Sequence, residues 1–415
     1  MKTLSTLALA AGLVTMAQPA PAKEKPAPAN TLRLAPAVVK AAGPAQAALQ
    51  AGDATTAEPL VSQVETAAAN DGEKYVAAAL RYRLELLKTA TAPANQPSLA
   101  KPLDALIANP LTPRADKARY TYNRAQLALL GRQYPVAVEY FGKARELGYA
   151  DPELGLATVK ARMDGGDVAG GATELDAVVA AQVARGEKAP ADYYRYVIAR
   201  ANKGGMTAQT VGWMTKYVTA YPTGQTWYEV LTAYGLQHDA SAKLDGPEKL
   251  DVYRLMRASG AVADEYYYLD YARTAQAAGV PQEAQAVLKE GVNAGKIPTA
   301  SVEAKAMQVV LTKAAAGKSA ASLDIKAKTA TSGVAAAQAG DAHLGAGDYA
   351  KAAAQYQAAL QKGGVDADAV NTHLGIALAR SGDKASAQAA FAAVKGSPRA
   401  DIATLWTTWL NTSAT

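Results

Sequence analysis

Residues 340–396 read GDAHLGAGDYAKAAAQYQAALQKGGVDADAVNTHLGIALARSGDKASAQAAFAAVKG, one pattern written twice. Gly340, Gly347-Asp348, Ala352, Tyr356 and Ala359 return 35 residues later as Gly375, Gly382-Asp383, Ala387, Phe391 and Val394. Each copy predicts a helix, a tight turn and a second helix. Gly340 and Gly375 fall mid-helix, where a missing side chain lets a partner helix approach and packing must offset roughly 1 kcal/mol of lost helix propensity. Gly-Asp then ends one helix and caps the next. Ala352, Tyr356 and Ala359 fall at i, i+4 and i+7, on one face of the second helix.

This small–small–large pattern at this period resembles the tetratricopeptide repeat, a helix–turn–helix unit of about 34 residues. The resemblance extends backwards along the chain. A hairpin over 36–70 turns at Gly52-Asp53, with Ala57, Val61 and Val64 on its second helix. A long first helix, a Pro-rich link and a second helix from about Ser98 occupy 72–109. Tyr134, Ala137, Phe141 and Ala144 hold second-helix positions in 113–147, and 151–185 turns at Gly166-Asp167. Tyr194, Val197, Ile198, Ala201 and the turn at Gly205 place a hairpin in 190–222. The stretch 224–260 is less regular, with a longer loop at 238–245, and 262–294 returns to the pattern.

The resemblance implies an all-α, tetratricopeptide-type solenoid of about nine to ten hairpins wound as a right-handed superhelix. The expected organisation is a signal peptide over 1–22, a flexible linker over 23–35 and a helical array over 36–315. An irregular connection over 316–330, two clear repeats over 331–396 and a capping helix over 397–415 complete it. The cap rests on an apolar stripe, Ile402, Leu405, Trp406, Trp409 and Leu410, because a solenoid needs its last core covered.

Composition agrees with short, closely packed helices: 50% hydrophobic residues, 33 Gly and only 2 Phe in 415 residues. A formal charge of +6 is mild for this length, and no dense Lys/Arg block interleaved with aromatics points to nucleic acid. Lys2, the apolar run Leu4–Val14 and Ala20-Pro21-Ala22 read as a secretory signal, for which cleavage after Ala17 and after Ala22 both fit. No later apolar run reaches the ~18 residues a membrane span needs. With no Cys there is no disulfide and no lipid-anchored cysteine. The expected location is therefore the bacterial periplasm, in soluble form.

Catalytic signatures are missing: no Cys nucleophile, no His-Glu-x-x-His, no Gly-x-Ser-x-Gly and no Asp-rich metal loop. Thr312–Ser319 (TKAAAGKS) ends like a phosphate loop but has Thr312 where the first Gly belongs, and it follows a helix rather than a strand. Of three histidines, His343 takes a core position of the template and His373 lies two positions out of register. No enzyme activity, metal or cofactor is expected.

Twelve of the 21 Tyr lie between residues 193 and 271. Tyr194, Tyr268 and Tyr271 fit core positions, whereas Tyr193, Tyr196, Tyr266 and Tyr267 do not all fit and could serve as anchors for a partner. The family binds extended peptides along the first helices of its repeats. The resemblance implies that Arg119, Tyr122, Gln126, Lys160, Arg195, Asn202, Tyr266, Arg273 and Gln276 line that concave face, with the alternative of a solvated face with incidental charge. Arg and Asn/Gln there would hold backbone carbonyls and carboxylates. The implied function is a periplasmic scaffold or adaptor for proteins or peptides, serving cell-envelope assembly or export. The alternative is an accessory subunit that binds a glycan or peptidoglycan strand.

Overall fold

The computed structural model describes residues 32–151, 153–316 and 320–413, so the expected signal peptide and most of the linker lie outside the described residues. The chain forms two compact units, Met1–Leu127 and Ala128–Thr415. Among the described residues both are built of helices.

In the first unit α1 (Pro36–Gln50) and α2 (Ala54–Ala67) form a hairpin, followed by α3 (Asp71–Thr91), a 3-10 turn (Pro93–Leu99), α4 (Ala100–Ala108) and α5 (Arg114–Leu130). The first turn follows the expected chemistry: Gly52 has φ 76°, and Asp53 accepts from the Thr56 N–H. Val38, Val61, Val64 and Leu84 are fully buried where α1–α3 meet. Tyr82 and Tyr120 then meet edge-to-face at 5.6 Å, over Leu103 and Leu106.

The second unit continues with α6 (Tyr134–Glu146), α7 (Glu153–Asp164), α8 (Val168–Ala184), α9 (Ala191–Lys203), α10 (Thr207–Ala220) and α11 (Gly224–Leu231). A π-helical turn (Thr232–Leu236) leads to α12 (Gly246–Ala258), α13 (Glu265–Ala277) and α14 (Pro281–Asn293). Next come α15 (Val302–Ala315), α16 (Ala320–Thr329), α17 (Val334–Ala346), α18 (Tyr349–Lys362), α19 (Ala367–Ser381), α20 (Lys384–Ala392) and α21 (Arg399–Thr412). Neighbours pack as antiparallel pairs, α7 with α8, α9 with α10, α13 with α14, α17 with α18 and α19 with α20. The architecture is a tetratricopeptide-like array of helical hairpins.

The doubled stretch shows why the period is kept. A Cβ on Gly340 would be driven into the ring of Tyr356, and one on Gly375 into the ring of Phe391. These rings are themselves buried to 0% and 3% exposure. The turns use Gly347 at φ 80° and Gly382 at φ 88°, a left-handed conformation that costs glycine nothing. Asp348 and Asp383 cap the second helices through the N–H groups of Lys351 and Ser386.

Two features differ from the expectation. Residues 320–329 form a helix, α16, where an irregular connection was expected. Ala, Leu and Lys are good helix formers, and Asp324 anchors this helix by accepting from the Gln355 carboxamide at 2.7 Å beside the His343 ring, 3.0 Å away. Secondly, α21 does more than cover the last repeat. It packs on α19 and α20 and also on α10 and α12, more than 140 residues earlier, so the array of the second unit closes on itself.

Candidate functional site

The residues expected on the binding face fall on first helices of the hairpins. In the first unit, Arg119 pairs with Asp116 at 2.7 Å, its guanidinium over the Tyr120 ring. Tyr122 is buried, at 7% exposure, and its hydroxyl accepts from the Gln126 carboxamide at 2.6 Å. Tyr122 is thus a correction: the two side chains satisfy each other, and the ring packs inward rather than standing on a displayed face.

In the second unit Lys160 is exposed on α7. Arg195 on α9 is half exposed and reaches forward to Glu229 on α11 at 2.9 Å, with a second contact to Asp192 at 3.0 Å. Arg273 on α13 reaches Glu303 on α15 in the same way. Asn202 donates to the Asp239 carbonyl at 3.0 Å, and Gln276 is half-buried. Tyr266 stands 60% exposed, edge-on to Tyr267 at 5.0 Å, which in turn meets Tyr228 at 5.4 Å. Tyr194, Tyr268 and Tyr271 are buried, as their template positions predict.

These ties follow the repeat. Arg145 reaches Glu174, Arg200 reaches Asp164, Arg257 reaches Glu290 and Arg195 reaches Glu229, each about one period away. The cations are held in fixed directions by acids from the neighbouring hairpin. Single exposed pairs of this kind stabilise by roughly 0.2–1 kcal/mol; their larger effect is to orient the surface.

A second cluster of charged groups lies inside the unit. Asp251 on α12 is fully buried. Its carboxylate accepts from Arg254 Nη1 at 2.9 Å and from Arg399 Nη1, on α21, at 2.9 Å. Arg254 also donates through Nε and Nη2 to Glu283 on α14, at 3.0 and 2.8 Å, and the Tyr271 hydroxyl donates to the same carboxylate at 2.8 Å. His373 on α19 sits between two carboxylates, Nδ1 2.9 Å from Asp341 on α17 and Nε2 3.2 Å from Asp251. The Nε2 contact is one of charge, since it lacks the alignment of a hydrogen bond. Tyr356 donates to Asp341 at 2.7 Å. With His373 protonated, three cations face three carboxylates, and only Asp341 has a substantial share of its side chain, 30%, at the surface.

Burial disfavours charge on both Asp251 and His373, but each is outweighed by its partners. His373 and the two guanidiniums hold Asp251 down to about 2, and Asp251 and Asp341 raise His373 to about 9. The His373 value exceeds the ordinary ~6.5 of an unfolded chain. Its stabilisation is therefore complete below pH ~6.5 and is lost as pH climbs through about 9. Thermal melts from pH 6 to pH 10 are expected to show the second unit losing on the order of 3 kcal/mol. H373N should remove most of that slope.

The cluster was not anticipated. His373 lies two positions out of register in the sequence pattern, and the structure places two carboxylates against it. The signal lay in α12: Leu250, Asp251, Val252, Tyr253, Arg254, Leu255 and Met256 are all buried. In a stretch buried on every side, charges such as Asp251 and Arg254 must be paired.

No described protein family and no curated protein matches the chain. Solved helical-repeat structures do. A pentatricopeptide repeat protein from maize, PPR10, aligns at 15% identity over 88% of this chain and 50% of its own, with a TM-score of 0.32. This chain therefore spans half the length of that protein. The Naa15/Naa10 complex bound to HypK-THB aligns at 12% identity, covering 88% and 70%, with a TM-score of 0.29. The Cut9-Hcn1 tetramer of the APC/C aligns at 12%, covering 88% and 96%, with a TM-score of 0.19. At such scores the repeat architecture rests on this chain's own hairpins.

Proposed function

We propose that this chain is a non-catalytic interaction scaffold that holds a peptide or protein segment along the first helices of its repeats. The observation that supports this most directly is the row of polar side chains on α9 and α13. Arg195 and Arg273 project there in directions set by Glu229 on α11 and Glu303 on α15, with Asn202 further along α9 and Tyr266 and Gln276 on α13. Lys160 on α7 adds an exposed cation. In the first unit Arg119 and Gln126 offer a guanidinium and a carboxamide of the same kind. Fixed guanidiniums and carboxamides bind backbone carbonyls and carboxylates with little ordering cost.

The pattern of Lys2, Leu4–Val14 and Ala20-Pro21-Ala22 supports export to the periplasm. There the partners would be proteins of the cell envelope, in assembly or export, with no nucleic acid partner and no cofactor. A crosslinking capture from envelope extract tests both parts. The R195E/R273E double variant is expected to lose roughly tenfold or more in partner recovery, with a melting temperature close to wild type, because exposed ion pairs contribute little to stability. Equal recovery by the variant would remove the basic-face reading.

A second reading follows from the tyrosine cluster. Tyr266, Tyr267 and Tyr228 form a surface ladder of rings on which the sugar rings of a glycan or peptidoglycan strand would stack. Tyrosine and tryptophan quenching by oligosaccharides, and not by peptides, would favour it.

A further inference from the structure

The hairpin pattern of the second unit breaks off between α14 and α17. α17 packs directly on α14, so the array runs from α13–α14 to α17–α18, while α15 rests on α14 and α16 packs chiefly on α17. α15 thus lacks the second helix that α7, α9, α13, α17 and α19 each have. It buries Ala304 and Leu311 on one side, yet Val302 and Val309, one helical face away, are 81% and 58% exposed. A helix apolar on both sides is one built to be covered.

Beside it runs a groove of about 510 Å³ between α14 and α15. Leu288, Val292 and Pro298 give it an apolar floor, and Gln285, Asn293 and Gln308 supply carboxamides. Its charged lining residues are Lys289 and Lys305, and no carboxylate lines it. Neither lysine has an ion pair among the described residues. The acids nearest in sequence are already engaged, Glu290 by Arg257 and Glu303 by Arg273. On α15, Ser301, Ala304, Lys305 and Gln308 line the groove, and Val302 and Val309 stand just outside that lining, one turn to either side of Lys305.

We propose that the α14–α15 groove seats an amphipathic helix of a partner protein, with apolar anchors flanked by Asp or Glu, which gives α15 the second helix its own chain withholds. The proposal rests on the scaffold reading and names one partner chemistry for it. Apolar anchors fill the floor and cover Val302 and Val309, in the helix-in-groove mode. Acidic flanks meet Lys289 and Lys305, and the two unpaired cations set the preference for sign.

The test uses the full chain and two synthetic helical peptides that share one leucine face, one with glutamate flanks and one with lysine flanks. Fluorescence anisotropy is expected to show the glutamate peptide binding at least about tenfold tighter, an advantage that shrinks with salt. K289E/K305E should abolish or invert the preference at an unchanged melting temperature, and hydrogen exchange should slow within residues 285–309 of the wild type. The proposal falls if neither peptide binds or if both bind equally. It also falls if the double variant keeps the preference, or if phosphatidylglycerol vesicles bind through these lysines and the peptides do not. Capture that depends on Arg195 and Arg273 is read separately, so failure here leaves the scaffold reading standing.

Discussion

Replacing Asp251 with alanine is expected to destabilise the second unit by roughly 3–5 kcal/mol, read as a lower denaturation midpoint. The carboxylate faces Arg254, Arg399 and His373, and its loss leaves these cations in a closed interior with Glu283 and Asp341 as their remaining counter-charges. Desolvated charge without a partner is what makes such changes severe. A companion variant separates the two contributions. D251L/R399M removes an anion and a cation together and is expected to cost clearly less than D251A, because matched removal leaves less unpaired charge behind. If the double variant proves as damaging as the single one, packing rather than charge pairing dominates at this site.

Trp406→Ala is expected to cost a similar 3–5 kcal/mol by cavity formation. The indole is fully buried, stacks on Phe391 at 6.2 Å, meets Trp409 edge-on at 5.5 Å and donates to the Asp251 carbonyl at 3.3 Å. It touches both the last repeat and α12. The variant should therefore free α21 before the rest unfolds, giving early proteolytic cleavage within residues 399–412 while α17–α20 stay protected. Wild-type resistance at α21 in the variant would show that Arg399 and the hydrogen bond from Tyr234 to the Pro398 carbonyl, 3.1 Å long, are enough to hold the closure.

The repeat was legible because its markers are local. A glycine under an aromatic ring, a left-handed Gly and a capping Asp all act within one hairpin, and a period of 35 residues repeats them in the sequence itself. Side chains of the expected face were harder to place. Its positions followed from the template, but Tyr122 turned inward, and the acids that hold Arg195 and Arg273 sit on α11 and α15, at distances no motif marks. The buried charges were illegible for the same reason carried further. Asp251 meets Arg399 across 148 residues, and a pairing of that span leaves no periodic trace. α16 was missed because small and polar residues suggested a connection, while their helix propensity was never in conflict with a helix.

The return of α21 to α10 and α12 bears on how the chain acquires its structure. Simple repeat arrays grow by addition: each hairpin settles on the one before, and contacts stay short in sequence. Here the hairpins from α10 onward wait on a helix that leaves the ribosome almost two hundred residues after α10. Until it arrives, Asp251 lacks Arg399, and α10 and α12 keep an apolar face bare. Such long-range closure slows folding and prolongs exposure to aggregation or to a chaperone. The final fourteen residues of helix act as the step that commits the second unit to its finished form.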